Sequence, residues 1–257
     1  MDADIQELSR YLAHKLECTP SPQRLLVGIA GIPASGKSTF SHLLVERVNA
    51  LLRERLVADS KTCGELSGDI IQNSSDNGGR EYDQAILVGL DGWHLSRGQL
   101  DVLPDPQTAH DRRGIHWTFD GAGYITFLQK VRDTSFAGVI TAPSFDHALK
   151  DPTPDAVSIH PHHRIVIIEG LYVFLSIPPW SEGGLLLDER WFIEVDPAEA
   201  RRRLAVRHVL TGITENVVEA ERRADLNDLP NGEFIVANSL EPTRIIHSKS
   251  ISSLVQE

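Results

Sequence analysis

A chain of 257 residues with 36 acidic and 25 basic side chains, formal net charge −11, can bury one sizeable core. Its charge has the wrong sign for general binding to nucleic acid or to an anionic membrane, so neither partner is expected. The two cysteines, Cys18 and Cys63, form no closely spaced pair and exclude a disulfide framework or a cysteine zinc site.

The acidic start Met1-Asp2-Ala3-Asp4 lacks a signal-peptide pattern, and the longest apolar stretch, Ile165 to Leu175, contains Glu169 and is too short to span a bilayer. A single cytoplasmic domain over residues 1–257 is expected. Ile5, Leu8, Leu12 and Leu16 form a helical stripe that ends before Thr19-Pro20-Ser21-Pro22.

Leu25 to Ala30 then reads as a buried strand, and Phe40, Leu43, Leu44, Val48, Leu51 and Leu52 recur at helical spacing. Between them Gly31-Ile32-Pro33-Ala34-Ser35-Gly36-Lys37-Ser38 satisfies the spacing G-x-x-x-x-G-K-[ST]. Gly31 and Gly36 permit backbone conformations that let successive N–H groups face phosphate oxygens at a helix N-terminus. Lys37 adds positive charge for the terminal phosphates, Ser38 a hydroxyl for Mg²⁺, and Ala34, Ser35 and Thr39 complete the ATP-binding set. Gly28-x-x-Gly31 lacks the G-x-G-x-x-G spacing of a dinucleotide site. The first βα unit is assigned to residues 22–58.

Residues 59–84, with the polar run Asn73 to Gly79, read as a mobile insertion. Ala85 to Leu90, Arg164 to Ile168 and Trp191 to Val195 read as buried parallel strands with helical patterns between them. Asp91 and Glu169 directly follow two of these strands, which directs both carboxylates into the cleft of the phosphate loop. One suits orientation of the metal, the other acceptance of a hydroxyl proton, and spacing does not decide which does which.

Asp120 is expected to cap a helix whose buried stripe is Tyr124, Leu128 and Val131. His160-Pro161-His162-His163 reads as a polar connection rather than a zinc site, and Trp180 and Trp191 as packing residues. After Asp196-Pro197, a helix start, Arg203 and Arg207 share one face that can close over phosphates, and residues 197–232 are assigned to a lid. Asn227 to Gly232 reads as a turn bordering it.

The segment Asp91-Gly92-Trp93-His94-Leu95 resembles the D-x-F-[HY] motif of uridine kinases, phosphoribulokinases and bacterial-type pantothenate kinases, with Trp93 in place of Phe. Pro143-Ser144-Phe145-Asp146-His147 is similar to their P-x-Y-D and P-x-Y-S-H acceptor motifs, with Phe145 in place of Tyr. Ile167-Ile168-Glu169-Gly170 is similar to their E-G motif. The whole combination, including Asn227 to Gly232, resembles most a branch of fungal ATP-dependent kinases and bacterial uridine kinase-like proteins. The resemblance implies Asp91 as the catalytic base, Glu169 beside Mg²⁺, Phe145, Asp146 and His147 at the acceptor, and Arg207-His208 at the lid. His94, Arg97, Arg112, Arg113 and His147 would then give a locally basic acceptor side suited to an anionic or polyhydroxylated molecule.

The resulting expectation is an α/β P-loop NTPase fold, a three-layer arrangement with a mostly parallel sheet and a helical lid. Its activity is ATP- and Mg²⁺-dependent transfer of the γ-phosphoryl group to a hydroxyl of a small nucleoside, sugar or vitamin precursor. Catalysis falls to Asp91, Lys37, Arg207 and Arg203. The rivals are a regulatory P-loop ATPase and a nucleotide-binding module without small-molecule transfer; a GTPase switch is not expected, because no N-K-x-D signature is present. A homodimer is left open.

Overall fold

The computed structural model describes residues 2–63, 83–146 and 149–248. Helix α1 (Asp2–Glu17) precedes strand β1 (Leu25–Gly31), whose seven residues are all buried, and the chain then enters helix α2 (Lys37–Cys63). Strand β2 (Ala85–Gly89) runs into a 3-10 turn at Leu90–Trp93, followed by short helices α3 (Arg97–Asp101) and α4 (Pro106–Asp111). A second 3-10 turn at His116–Thr118 leads to α5 (Gly121–Arg132), capped by Asp120, whose carboxylate accepts from the Gly123 amide. Tyr124, Leu128 and Val131 are its buried stripe, as the periodicity predicts.

Strands β3 (Ile140–Asp146) and β4 (Asp151–Ile159) then form an antiparallel hairpin. Strand β5 (Ile165–Glu169), helix α6 (Trp180–Leu185), strand β6 (Glu189–Glu194) and helix α7 (Pro197–Leu210) follow. Helix α8 (Val217–Arg223) passes through a π-helical turn (Ala224–Asp228) into α9 (Leu229–Ala237), and β7 (Arg244–His247) ends the described chain.

Among the described residues, β2, β5, β1, β6 and β7 pair in that order, every pair parallel. Alternation along β1 divides the core. Leu25, Val27 and Ile29 face α1 and α2 with Leu8, Leu12, Phe40 and Leu44, while Leu26 and Ala30 face the layer holding Tyr124, Leu128, Trp180 and Ile235. Two helical layers thus cover a parallel sheet, the arrangement such buried strands require. Trp180 and Trp191 are both buried in these cores.

The pairing register places the site. Gly89, Glu169 and Ile29 lie in one row across β2, β5 and β1, so the Asp91 turn, Glu169 and the phosphate loop emerge at the same carboxyl end.

Three expectations change. Helix α2 continues through Cys63, so the first residues of the 59–84 segment are helical, and residues 64–82 lie outside the described residues together with the run Asn73 to Gly79. Asn227 to Gly232 is helical, not a turn: the π-helical segment holds Asn227 and Asp228, and Pro230 follows it directly, where the widened turn accommodates a residue without an N–H. The β3–β4 hairpin was not anticipated, because Pro143, Pro152 and Pro154 argue against strands and most of β4 is solvent-facing.

Candidate active site

The phosphate loop leaves β1 at Gly31 and re-enters helix at Lys37. Two residues in it occupy left-handed backbone space, Ala34 at φ 61° and Gly36 at φ 90°. Such an alternation turns successive amides inward, as an anion nest requires. Ser35 is fully buried and its Oγ has no hydrogen-bond partner among the described residues, while Ser38 and Thr39 stand exposed at the helix start.

Lys37 Nζ lies 4.0 Å from Glu169 Oε1, and the two side chains are only 12% and 14% exposed. Burial pulls the Lys37 ammonium below its ordinary pKa, opposed by the nearby Glu169 and Asp91 carboxylates and assisted by Arg207. Burial likewise pushes the Glu169 carboxyl up, against Lys37 and a hydrogen bond from Ser38. An anion beside Lys37 would restore its ammonium form, and a cation beside Glu169 its carboxylate form.

A cleft of about 470 Å³ opens over the loop, lined on one side by Ala34, Gly36, Lys37, Ser38 and Thr39 and on the other by α7. Helix α7 begins at Asp196, which accepts from the Ala198 and Glu199 amides. It presents Arg202, Arg203 and Arg207 to the cleft, whereas Arg201 is bound to Glu221 of α8 and to Asp225 of the π-helical turn. Buried His208 lies with Nε2 2.9 Å from Asp228 Oδ2, tying α7 to the π-helical turn.

The phosphates of ATP fit this cradle, with its inward amides, Lys37 and Arg207 at one opening. For Mg²⁺ the adjoining Ser38 hydroxyl and Glu169 carboxylate are hard oxygen donors of the kind that share the ion with phosphates. No cluster of three or more acidic, histidine or cysteine side chains able to cage a metal exists among the described residues, the His160 to His163 segment included.

Asp91, whose charge also reaches Lys37, has its side chain 51% exposed in the 3-10 turn. His94 Nδ1–H donates to the Asp91 carbonyl at 2.8 Å, and the His94 ring packs tilted against Phe119 and Phe145, centroids 3.9 and 4.7 Å away. Gly92 is needed here because a Cβ would fall 2.2 Å from the Pro143 carbonyl oxygen. The hairpin backbone therefore rests directly on the Asp91 turn.

Arg97 and Arg113 converge on Asp151 rather than on open space. Asp151 accepts from the Arg97 amide at 2.9 Å, from Arg97 Nε at 3.4 Å and from Arg113 Nη2 at 2.9 Å. Arg113 also donates to the carbonyls of Leu95 and Lys150, Arg97 to that of Leu149, and the Arg113 guanidinium lies over the Phe145 ring. The resemblance put these two arginines on a basic acceptor side; both also clamp the hairpin turn to the loop after Asp91, because β4 supplies a carboxylate between them. Arg112 is exposed at the end of α4, and Asp146 closes the hairpin by accepting from the Leu149 amide. His147 lies outside the described residues.

Glu199, Ser248 and Tyr172 also belong to this neighbourhood and escaped the sequence reading, and Asn231, read there as part of a turn, joins them. The Tyr172 hydroxyl lies 2.7 Å from the Gly114 carbonyl and 2.9 Å from Asn231 Oδ1. Burial, with Asp91 and Asp228 close by, pushes this phenol's pKa upward. Glu199 was legible through its i, i+4 spacing to Arg203; Ser248 and Tyr172 carry no local signal.

A parallel sheet with the phosphate loop at its centre and an arginine-bearing helix over it defines the P-loop kinase fold, and comparisons with known proteins agree. No family model matches the chain. It is 30% identical over 254 residues to a Schizosaccharomyces pombe protein named "Putative uridine kinase C227.14", covering 98% of this chain and 94% of that relative. It is 48% identical over 153 residues, 59% of this chain and 89% of the relative, to the ATP-dependent kinase-like protein notR' of Aspergillus versicolor. The crystal structure of YFH7 from Saccharomyces cerevisiae superposes with a TM-score of 0.76 at 25% identity, covering 96% of this chain and 98% of that one. The chain belongs to the uridine kinase-like family of P-loop ATP-dependent kinases. No helix among the described residues is long and apolar enough to cross a membrane.

Proposed function

We propose that the protein transfers the γ-phosphoryl group of ATP to a hydroxyl of a small metabolite, with Asp91 as the base. The observation that carries this reading is the convergence of Lys37, Glu169 and Asp91 at the ends of three neighbouring strands, under a helix presenting Arg207. Lys37 and the loop amides bind the terminal phosphates, and Ser38 and Glu169 would hold Mg²⁺ against them. The ion's contribution is neutralisation of phosphate charge. Asp91 takes the proton of the acceptor hydroxyl as that oxygen bonds to phosphorus and the bond to the bridging oxygen breaks, leaving ADP. Arg207 offsets charge that develops during transfer, and closure of α7 limits attack by water.

The acceptor class is a nucleoside, sugar or vitamin-precursor alcohol. The aromatic wall of His94, Phe119 and Phe145 supports a ring-bearing or polyhydroxylated acceptor, and engagement of Arg97 and Arg113 by Asp151 favours neutral members over anionic ones. The test is ADP release by wild type and Asp91→Asn with ATP and Mg²⁺ across a panel of nucleosides, sugars, sugar acids and pantothenate-like alcohols. One compound should stimulate the wild type, and Asp91→Asn should lose about a hundredfold or more of that stimulation while still binding ATP. Slow turnover indifferent to every acceptor and to Asp91→Asn would instead identify a regulatory ATPase.

A further inference from the structure

We propose that Arg203 is a positioning residue for ATP, held by Glu199 and fastening α7 both to the phosphate loop at Ala34 and to the chain after β7 at Ser248. The inference rests on the kinase reading above and divides labour between two arginines that stand one turn apart on α7.

Arg203 is only 21% exposed, and its donors are aimed at protein. Nη1 donates to the Ala34 carbonyl at 3.3 Å and to Ser248 Oγ at 3.0 Å, while Nε donates to Glu199 Oε1 at 2.7 Å. Ala34 is the phosphate-loop residue that holds left-handed backbone without being glycine, at φ 61°. An L-residue adopts that conformation at a cost, so neighbouring structure must hold it. A guanidinium on the Ala34 carbonyl does so, and fixes the direction in which the following amides point.

Glu199 is otherwise out of place, since a carboxylate lining a phosphate cleft repels the ligand. Its oxygens also accept from Arg202 Nε at 2.8 Å and Nη2 at 2.9 Å. The two arginines draw its pKa down to about 2, so it stays ionised and the trio keeps a net positive charge. Its role is orientation: it sets the rotamer of Arg203 so that Nη1 meets the loop. Arg207 differs. It is exposed, no hydrogen bond or ion pair holds its side chain among the described residues, and its charge reaches Lys37. Arg207 is placed to follow charge at the phosphates, and Arg203 to shape the cup that receives them.

The test is calorimetric binding of ATP with Mg²⁺ to the full chain, together with kcat and KM for ATP in acceptor-free ADP release. Arg203→Lys and Glu199→Gln should each weaken ATP binding about tenfold, the loss of one charge-assisted hydrogen bond, with the change in KM rather than kcat. The double variant should lose no more than Arg203→Lys alone, because the pair acts as one unit. Ser248→Ala, which removes a single acceptor, should weaken ATP about twofold to threefold with an unchanged melting temperature. Arg207→Lys should show the opposite pattern, a lower kcat with ATP affinity retained.

Wild-type affinity in Arg203→Lys, tighter binding in Glu199→Gln, losses that add in the double variant, or a fall in kcat at constant KM for Arg203→Lys would each overturn the positioning role. If Arg203→Lys does not fold, Glu199→Gln and Ser248→Ala decide the matter on the same terms. Absence of ATP binding by the wild type would overturn the kinase reading and the inference with it.

Discussion

The phosphate loop and the Asp91 turn stand at the ends of strands separated only by β5, yet they are held by different means. The loop belongs to the central strand and is braced by contiguous chain: β1 before it, α2 after it, and α7 above. The Asp91 turn belongs to the edge strand β2 and is braced by a separate hairpin, through Gly92 against Pro143 and through Asp151 between Arg97 and Arg113. Binding a triphosphate is a task shared by many proteins and is written into one short segment. On the proposed reading, choosing an acceptor falls to an excursion from the sheet.

That contrast can be broken in three places. The largest effect is expected on the donor side: Lys37→Ala should lower phosphoryl transfer about a thousandfold, since one preorganised charge at the reacting phosphate is removed, and calorimetry should show ATP affinity falling with it. A loss confined to the acceptor's KM would contradict the division. An intermediate effect is expected from Asp151→Asn, which leaves Arg97 and Arg113 without their carboxylate. The KM for the stimulating acceptor should rise about tenfold while ATP binding stays at the wild-type level, and equal losses on both substrates would show the hairpin to be general scaffold.

The smallest effect on activity is expected where neither half is touched. On the back of the sheet, buried Glu189 accepts hydrogen bonds from Tyr11, Lys15, Trp191 and Thr243, joining α1 to β6 and the start of β7. These donors overcome burial and hold its pKa at about 2, against 4.5 for an ordinary glutamate. A folded-state pKa below the unfolded one means that this stability is full above about pH 4.5 and is lost as pH falls toward 2. Glu189→Gln should therefore cost on the order of 2 kcal/mol near neutrality, a deficit that narrows in urea titrations run at progressively lower pH, with kcat and KM unchanged. A deficit independent of pH would assign the loss to packing.

The same contrast decides what could be read in advance. The loop, the strand that feeds it, the stripe on α2, and the positions of Asp91 and Glu169 at strand ends are all local patterns, and each was legible from spacing. The Asp120 cap and the α5 stripe were legible for the same reason. The hairpin was not, because three prolines and a solvent-facing β4 suppress every strand signal, and its partners are set by folding rather than by neighbourhood in sequence. The ion pairs of Arg97 and Arg113 were hidden as a consequence, since their partner Asp151 sits on that hairpin. The segment Asn227 to Gly232 misled through composition: Asn, Asp, Pro and Gly together suggest a turn, and only tertiary packing reveals a continuous helix.

The π-helical turn at Ala224–Asp228 has an effect beyond its own five residues. Each residue inserted into a helix rotates everything after it by roughly 100°, so the bulge acts as a phase offset for α9. In the phase it sets, Asn231 meets the Tyr172 hydroxyl and Gly232 lies against Ile32 beside the phosphate loop. Removing a single residue from the bulge would regularise the hydrogen bonding of the helix and swing both contacts out of alignment. A locally better helix would then be a worse gear between the two substrates.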